Sequence, residues 1–148
     1  MMKSKFKTRL GRSAIAASAA IFLSLTMAGT ANAAEDDGKL EDTEFGLYYN
    51  SDRGGCVFDL TIGDGDFKDN YFKSSSILLN CNGKGLGVNN NTASYWNRTH
   101  GNYYVYSGAG GAGTEGVIPS GYAGNASPAF KNAISSAANP LLRDIWKS

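Results

Sequence analysis

The fold is decided by the stretch from Asn89 to Thr99, which reads Asn-Asn-Asn-Thr-Ala-Ser-Tyr-Trp-Asn-Arg-Thr. Its pattern of Asn, two further residues and Ser recurs near the C-terminus between Phe130 and Ser136, in Phe-Lys-Asn-Ala-Ile-Ser-Ser. A short Asn side chain hydrogen-bonds backbone two residues further on, and a Ser hydroxyl adds a second oxygen to the same turn. The pattern therefore predicts a repeated tight turn, able to hold either a chain corner or a cation.

A second pair of similar segments precedes these turns. Leu47-Tyr48-Tyr49-Asn50 is followed by Gly54-Gly55, and Tyr104-Val105-Tyr106-Ser107 is followed by Gly110-Gly111. The distance from each segment to its turn differs between the two copies. We interpret the chain as two diverged copies of one β-unit.

Short strands are predicted from Phe45 onward, because apolar side chains alternate there with other residues. Along one such run two sets alternate, which places one set on a buried face and the other nearer solvent: Phe58, Leu60 and Ile62 against Val57, Asp59 and Thr61. Glycine clusters between the runs suit tight turns with positive φ. The expected fold is an all-β sandwich of two β-units.

Residues 1–33 have the features of an export signal. They combine an apolar run from Ala14 to Ala28, an Ala31-Asn32-Ala33 cleavage motif and a basic start that contains Lys3, Lys5, Lys7, Arg9 and Arg12. The apolar run is shorter than the roughly 20 residues that a membrane-spanning helix needs. We therefore predict cleavage after Ala33 and a secreted, extracellular protein.

Removal of the signal changes the charge of the chain. All 13 Asp and Glu lie beyond residue 33, whereas 5 of the 14 Lys and Arg lie before it, so the mature chain carries 9 − 13 = −4. Without a basic cluster, nucleic acid and membrane surfaces are not expected partners. The acid-rich residues 34–43 are expected to form a disordered linker, which leaves 44–148 as the folded domain.

Cys56 and Cys81 are the only cysteines, and an exported chain meets an oxidising compartment, so they are expected to form a disulfide. A thiol nucleophile or a metal ligand is the weaker alternative, because His100 is the only histidine available as a base or co-ligand. The chain contains neither a Gly-x-Ser-x-Gly nor a His-Glu-x-x-His motif. We do not expect an enzyme.

These elements, in this order, resemble the secreted bacterial peptidase-inhibitor family thirty-six, typified by an actinobacterial metalloproteinase inhibitor. The resemblance rests on Phe45 to Ser51, Gly54-Gly55-Cys56, Asp66 to Asn70, Asn90 to Ser94 and Phe130 to Ser136. It implies a βγ-crystallin-like Greek-key sandwich with no catalysis of its own. It also implies, for a chain expected to be a monomer, inhibition of an extracellular protease, with a metalloprotease as one option.

The relation to βγ-crystallins implies a second property, because some members bind calcium through two Asn or Asp, two variable residues, Ser or Thr, and Ser. Asn90, Asn91 and Ser94 fit this motif, with Tyr95 at the final Ser position. Asn132 and Ser135 fit it in the second copy, with Lys131 at the first position. Calcium turns and plain corners both remain open, as does a calcium-binding or cell-envelope-binding module with a killer-toxin-like role.

The candidate inhibitory loop runs from Asn82 to Val88, directly after Cys81. Lys84 and Leu86 are side chains that a specificity pocket accepts, and an inhibitor loop is expected to be held in an extended shape before docking. The same residues also suit a hairpin connection without a partner. A rival loop, Ser107 to Glu115, consists mostly of small residues and offers few side chains to recognise.

The C-terminal residues from Pro140 onward suit either a short helix or a final strand. Leu141, Leu142, Ile145 and Trp146 lie at helical spacing there. We expect Trp146 to cover the core or a sheet edge rather than to bind a ligand.

Overall fold

A computed structural model describes residues 33–76 and 79–148 of the chain. The predicted signal peptide lies outside the described residues, apart from Ala33, and so do residues 77 and 78. All described residues belong to one compact unit. A search of these described residues for a helix with the length and hydrophobicity to span a bilayer finds none.

The described residues form two four-stranded antiparallel sheets and one α-helix. The first sheet has the strand order β2-β1-β4-β7 and the second has the order β3-β8-β5-β6. The elements are β1 (Phe45–Tyr48), β2 (Val57–Leu60), β3 (Gly63–Asp64), β4 (Ser94–Asn97), β5 (Tyr103–Tyr106), β6 (Glu115–Ile118), β7 (Ala123–Asn125), β8 (Ser136–Ala138) and α1 (Pro140–Lys147). The prediction of an all-β sandwich is confirmed.

The topology is duplicated. In the first β-unit, β1 pairs with β2 and β4, while β3 crosses to the second sheet. In the second β-unit, β5 pairs with β6 and β8, while β7 crosses to the first sheet. Each unit thus lends its third strand to the sheet of the other, which is a Greek-key arrangement of two repeats.

The hydrophobic core lies between the two sheets and is built from alternate residues of the strands. Phe45 of β1 and Tyr103 of β5 come from different sheets, and their rings stack with centroids 4.2 Å apart. Both residues are fully buried. A buried aromatic or aliphatic side chain stabilises the fold by about 2 kcal/mol, so this core accounts for much of the favourable free energy of folding.

The outer face of the first sheet is covered by residues 34–43. The backbone N–H groups of Asp37 and Gly38 donate to the carboxylate of Asp59 in β2, at 3.1 and 2.8 Å. Leu40 lies over Gly46 of β1, where a Cβ atom would come within 2.9 Å of both Leu40 methyl groups. The structure thus differs from the predicted disordered linker, because the sheet offers a carboxylate acceptor and a glycine gap to this segment.

The same segment explains why β2 is buried on both faces. Phe58 and Leu60 point into the core as the alternation predicts, whereas Ile62, beyond the end of β2, is 54% exposed. Val57 and Asp59, which belong to the alternate set, are also buried, with exposed fractions of 6% and 0%. Period-two alternation tells the two faces apart but does not show that another part of the chain covers the outer one.

The outer face of the second sheet is covered by α1. The side chain of Asn139 caps the helix by accepting from the Leu142 N–H at 2.9 Å. Trp146 packs edge-on against Tyr106 of β5, with ring centroids 5.7 Å apart. Of the two alternatives for the C-terminal residues, the structure has the helix, and Trp146 serves as cover.

Candidate functional site

Each β-unit contains a turn that one serine joins to the sheet. In the first unit, the hydroxyl of Ser94, at the start of β4, donates to the Asn50 carbonyl at 2.6 Å. The same hydroxyl accepts from the Arg53 N–H at 2.9 Å. Ser94 therefore holds the turn between β1 and β2 folded over the sheet.

The second unit repeats this arrangement with Ser136, at the start of β8. Its hydroxyl donates to the Gly108 carbonyl at 2.6 Å and accepts from the Gly111 N–H at 3.2 Å. The turns between β1 and β2 and between β5 and β6 are therefore structural equivalents, and Ser94 corresponds to Ser136.

A second pair of hydrogen bonds joins the two units to each other. The Asn90 N–H donates to the Ile134 carbonyl at 3.0 Å, and the Asn132 N–H donates to the Thr92 carbonyl at 2.8 Å. Asn90 and Asn132 both have a left-handed backbone, with φ of 60° and 56°. Asparagine tolerates this conformation better than most residues, which explains its place in both copies.

These equivalences correct the alignment of the two calcium-type motifs. The sequence comparison puts Tyr95 at the final serine position of the first copy, whereas the structure puts Ser94 there. Ala93 then takes the position that Ser135 has in the second copy. The first motif is thus one residue out of register in the sequence analysis, because a run of three asparagines allows either alignment.

The turn of the first unit borders a polar cavity of about 270 Å³. The residues that line it are Tyr49, Asn50, Ser51, Asn91, Ala93, Lys131 and Asn132. Ala93 has no hydroxyl to offer a cation, and the Lys131 ammonium repels one. Of the residues predicted to hold calcium, Asn91 and Asn132 line the cavity, but the residues around it as a whole do not fit a divalent cation.

The corresponding place in the second unit has different chemistry. The Ser135 hydroxyl lies 3.2 Å from Asn90 Oδ1 and donates to it. Both oxygens are neutral, and calcium affinity rises with the number of charged ligands. Within residues 33–76 and 79–148, no three His, Cys, Asp or Glu side chains are grouped closely enough to hold a metal ion. Calcium binding therefore stays a prediction.

The two units differ most in the connection between their third and fourth strands. Residues 65–93 join β3 to β4, whereas residues 126–135 suffice to join β7 to β8. The long connection is attached to β2 by the predicted Cys56–Cys81 disulfide, with the two Cα atoms 5.1 Å apart. A hydrogen bond from the Cys56 N–H to the Asn82 carbonyl, at 2.9 Å, holds it at the same place.

After Cys81 the chain makes two overlapping turns. The Lys84 N–H donates to the Cys81 carbonyl at 3.3 Å, and the Leu86 N–H donates to the Gly83 carbonyl at 3.0 Å. Gly83 and Gly85 have φ of +89° and +77°, which side chains with a Cβ atom rarely adopt. The prediction of an extended loop is therefore wrong, since the segment that carries Lys84 and Leu86 is tightly folded.

Phe72 holds the far side of this loop. Its carbonyl accepts from the Gly85 N–H and its N–H donates to the Leu86 carbonyl, both at 2.9 Å. The Val88 N–H donates to the Asn70 carbonyl at 3.0 Å. With the disulfide on one side and this short ribbon on the other, the loop is fastened at both ends.

The tip of the loop presents apolar side chains to solvent. Leu86 is 45% exposed, Tyr71, which forms a β-bridge with Gly87, is 49% exposed, and Leu79 is 57% exposed. Lys84 is also exposed, and its ammonium donates to the Leu79 carbonyl at 3.2 Å. The structure thus brings Lys84 and Leu86 together and adds Leu79 and Tyr71, which the sequence analysis missed although an apolar run ends at Leu79, two residues before Cys81.

The rival loop is covered in part by the C-terminal helix. It contains the second-unit turn, and a Cβ atom at Gly111 would lie 2.7 Å from the Trp146 ring. The C-terminal helix therefore covers part of the rival loop. His100 lies in an exposed bend after β4 and forms no hydrogen bond or ion pair within the described part of the chain.

The strongly shifted carboxyl groups lie on the outer faces of the sheets. Burial raises the pKa of Glu44 to about 7 and that of Asp59 to about 6, beneath residues 34–43. Hydrogen bonds from Arg143 and Lys147 lower the pKa of Glu115 to about 2 on the opposite side. These shifts follow from how the two termini pack and do not form a catalytic group with the loop.

Comparison with one solved structure supports the fold. The chain is similar to a structure described as "Evolution of the eye lens beta-gamma-crystallin domain fold", with 16% identity, 68% of this chain and 88% of the other covered, and a TM-score of 0.53. It is also similar to a βγ-crystallin from Ciona intestinalis, with 14% identity, 65% and 98% covered, and a TM-score of 0.49. The N-terminal domain of protein S matches at 21% identity, with 64% and 92% covered and a TM-score of 0.47.

Comparison with protein families identifies the group. No curated protein matches the chain. The model of peptidase inhibitor family I36 matches residues 33–118, which is more than half of the chain and includes the loop after Cys81. The chain therefore belongs to peptidase inhibitor family I36, whose members are non-enzymatic inhibitors with a peptidase as partner.

Proposed function

We propose that the protein is exported and inhibits an extracellular peptidase with the loop from Leu79 to Val88. One observation carries the proposal: an exposed loop, fastened by a disulfide and a short ribbon, lies within the residues that match the inhibitor family. A loop that is already ordered loses little conformational entropy on binding. Its rigidity therefore favours tight docking.

The loop acts as a compact wedge in the peptidase cleft. Gly83 and Gly85 turn the chain back on itself, so the backbone cannot lie in the cleft as a substrate strand does. Lys84 and Leu86 at the tip enter pockets of the enzyme, while Leu79 and Tyr71 provide apolar surface around them. Because no peptide bond of the loop runs in extended form past the catalytic groups, we expect the inhibitor to remain uncleaved.

The decisive experiment measures inhibition constants against a thermolysin-like metallopeptidase and a subtilisin-like serine peptidase. The protein is purified from the medium of an expressing host, and its mass shows whether the chain begins at Ala34. We expect Leu86→Ala and Lys84→Ala each to weaken inhibition about 10-fold, as for side chains at the centre of an interface. Val117→Ala is the matched control, since Val117 is 50% exposed but lies on β6.

Three results bear on the proposal. Absence of inhibition of both peptidase classes at micromolar concentration would remove it. Inhibition that survives both loop substitutions would move the contact to another surface. Cleavage within the loop, detected by mass spectrometry after long incubation, would replace the wedge with a substrate-like mechanism.

The alternative of a calcium-binding or cell-envelope module has less support. The first-unit turn presents Lys131 and Ala93 where a cation needs oxygen ligands, and the second presents two neutral oxygens from Ser135 and Asn90. A thermal melt with calcium and with chelator separates the two functions. A rise of many degrees with calcium would favour the module, because a ligand that binds only the folded state stabilises it.

A further inference from the structure

The cavity beside the first-unit turn has the chemistry of a site for an anion. Among the described residues that line it, Lys131 is the one charged group, and the others are polar apart from Ala93 and the ring of Tyr49. Its volume of about 270 Å³ exceeds the roughly 30 Å³ that one water molecule takes up in the liquid. The cavity is therefore large enough for a carboxylate group and its side-chain stem.

Of the side-chain donors on the residues that line this cavity, three are not engaged elsewhere among the described residues. The side chains of Lys131, Ser51 and Asn132 make no hydrogen bond or ion pair within residues 33–76 and 79–148. An ammonium, a hydroxyl and an amide together offer a carboxylate several hydrogen bonds, one of them charge-assisted. Among the described residues, no acidic side chain lines the cavity to compete for them.

The cavity adjoins the loop that follows Cys81. Asn82 of the loop donates its side-chain N–H to Asn50 Oδ1 at 3.3 Å, and the Asn91 side chain donates to the Gly87 carbonyl at 2.8 Å. Two of the lining residues are thus hydrogen-bonded to the loop itself. A partner that docks on the loop therefore contacts a segment that is hydrogen-bonded to the lining of the cavity.

The positive charge is a property of the first-unit cavity alone. By the structural equivalence of Asn90 and Asn132, the residue at the place of Lys131 in the other copy is Asn89, which is uncharged. The two turns therefore have the same backbone arrangement, but only the first has a basic side chain beside it. The basic cavity is lined in part by Asn91 and Ala93, at the end of the long connection.

We propose that this cavity receives a carboxylate side chain of the bound peptidase, paired with Lys131. The proposal rests on the proposed inhibitory function and adds a second contact to it, with a defined partner chemistry. The mature chain carries a predicted net charge of −4 and repels acidic surfaces in general. A single basic cavity beside the loop therefore selects the orientation in which an acidic group of the enzyme faces it.

The test compares inhibition constants of the purified exported protein and its variants against the peptidase that it inhibits most strongly. Lys131→Met is expected to weaken inhibition about 10-fold, as for the loss of one charge-assisted hydrogen bond. Lys131→Glu is expected to weaken it further. The control is Lys39→Met, which removes the same charge from residues 34–43, where Lys39 pairs with Glu41.

Salt provides a second measurement. Inhibition by the wild type is expected to weaken between 50 mM and 500 mM NaCl, and the Lys131→Met variant is expected to show a smaller change, because the screened pair is absent. An acetate titration followed by NMR then tests whether the cavity also binds a free carboxylate. Shifts at Lys131 and Asn132 that vanish in Lys131→Met support the carboxylate site.

Failures of the two proposals are distinguishable. A wild type that inhibits no peptidase overturns the proposed function and the pairing with it. A wild type that inhibits, with Lys131→Met and Lys39→Met equally potent, overturns only the pairing. Acetate binding at Lys131 together with unchanged inhibition by Lys131→Met would make the cavity a site for free anions and would also overturn the pairing.

Discussion

The two β-units share their strand pairing and their serine-tied turns but differ in one connection. Ser94 and Ser136 make the same two hydrogen bonds in the two units. The long connection, residues 65–93, adds the disulfide and the exposed tip that the shorter connection, residues 126–135, lacks. The difference teaches that the duplicated strands supply stability, while the added segment supplies the surface for binding a partner.

The largest expected effect comes from removing the disulfide, which only the first unit has. The cysteines are 25 residues apart, and in the chain-entropy model a loop of that size corresponds to about 3.5 kcal/mol. We expect Cys56→Ala/Cys81→Ala to lower the melting temperature by roughly 10 to 20 °C. Calorimetry of the double variant measures the shift. A shift of about 2 °C or less would show that the ribbon at Phe72 holds the connection without the disulfide.

The stability contributed by residues 34–43 on the first sheet and by α1 on the second is expected to change with pH in opposite directions. The folded pKa values of Glu44 and Asp59, about 7 and about 6, exceed their ordinary values of 4.5 and 3.8. The folded chain thus holds protons that the unfolded chain releases. The stabilisation is complete below about pH 4 and is lost as the pH rises through 6 and 7.

Urea denaturation between pH 4.5 and pH 8 checks this dependence. Glu44→Gln, which stays neutral, is expected to flatten the decline. Glu115 acts in the opposite sense, because its lowered pKa makes its contribution present above about 4.5 and lost toward pH 2. Stability that rises from pH 5 to pH 8 would contradict the burial of Glu44 and Asp59 beneath residues 34–43.

The smallest expected difference lies between the two serines. Ser94→Ala and Ser136→Ala each remove a hydroxyl with two hydrogen bonds from a buried position, and we expect each to cost about 2 kcal/mol. Equal losses in urea denaturation would confirm that the turns are equivalent. Losses that differ by more than about 1 kcal/mol would show that the disulfide supports the first turn independently.

Much of the fold follows from local patterns in the chain. The repeated Asn-x-x-Ser turn and the alternation of Phe58 and Leu60 depend only on residue type and spacing, so the sandwich and its duplication are predictable. The alignment of the turns is less so, because Asn89, Asn90 and Asn91 are alike and only hydrogen bonds to the other unit distinguish them.

The candidate site is predictable in part. Its central part is conspicuous in the sequence, because large side chains alternate with glycines directly after a cysteine. These residues are Cys81, Lys84 and Leu86. The folded shape of the loop depends on Phe72, which is distant in sequence, and its apolar surroundings depend on Tyr71 and Leu79. Such tertiary contacts leave no pattern in the neighbouring sequence that would predict them.

The amino-acid sequence by itself determined the strands, the repeated turns, the single disulfide and the inhibitor family, since each depends on short-range pattern. Only the tertiary structure decided that residues 34–43 cover the first sheet, that the loop after Cys81 is folded, and that Lys131 shares a cavity with Asn50. The physical reason is that burial and charge pairing depend on which distant segments meet. That meeting is set by the packing of the whole sandwich.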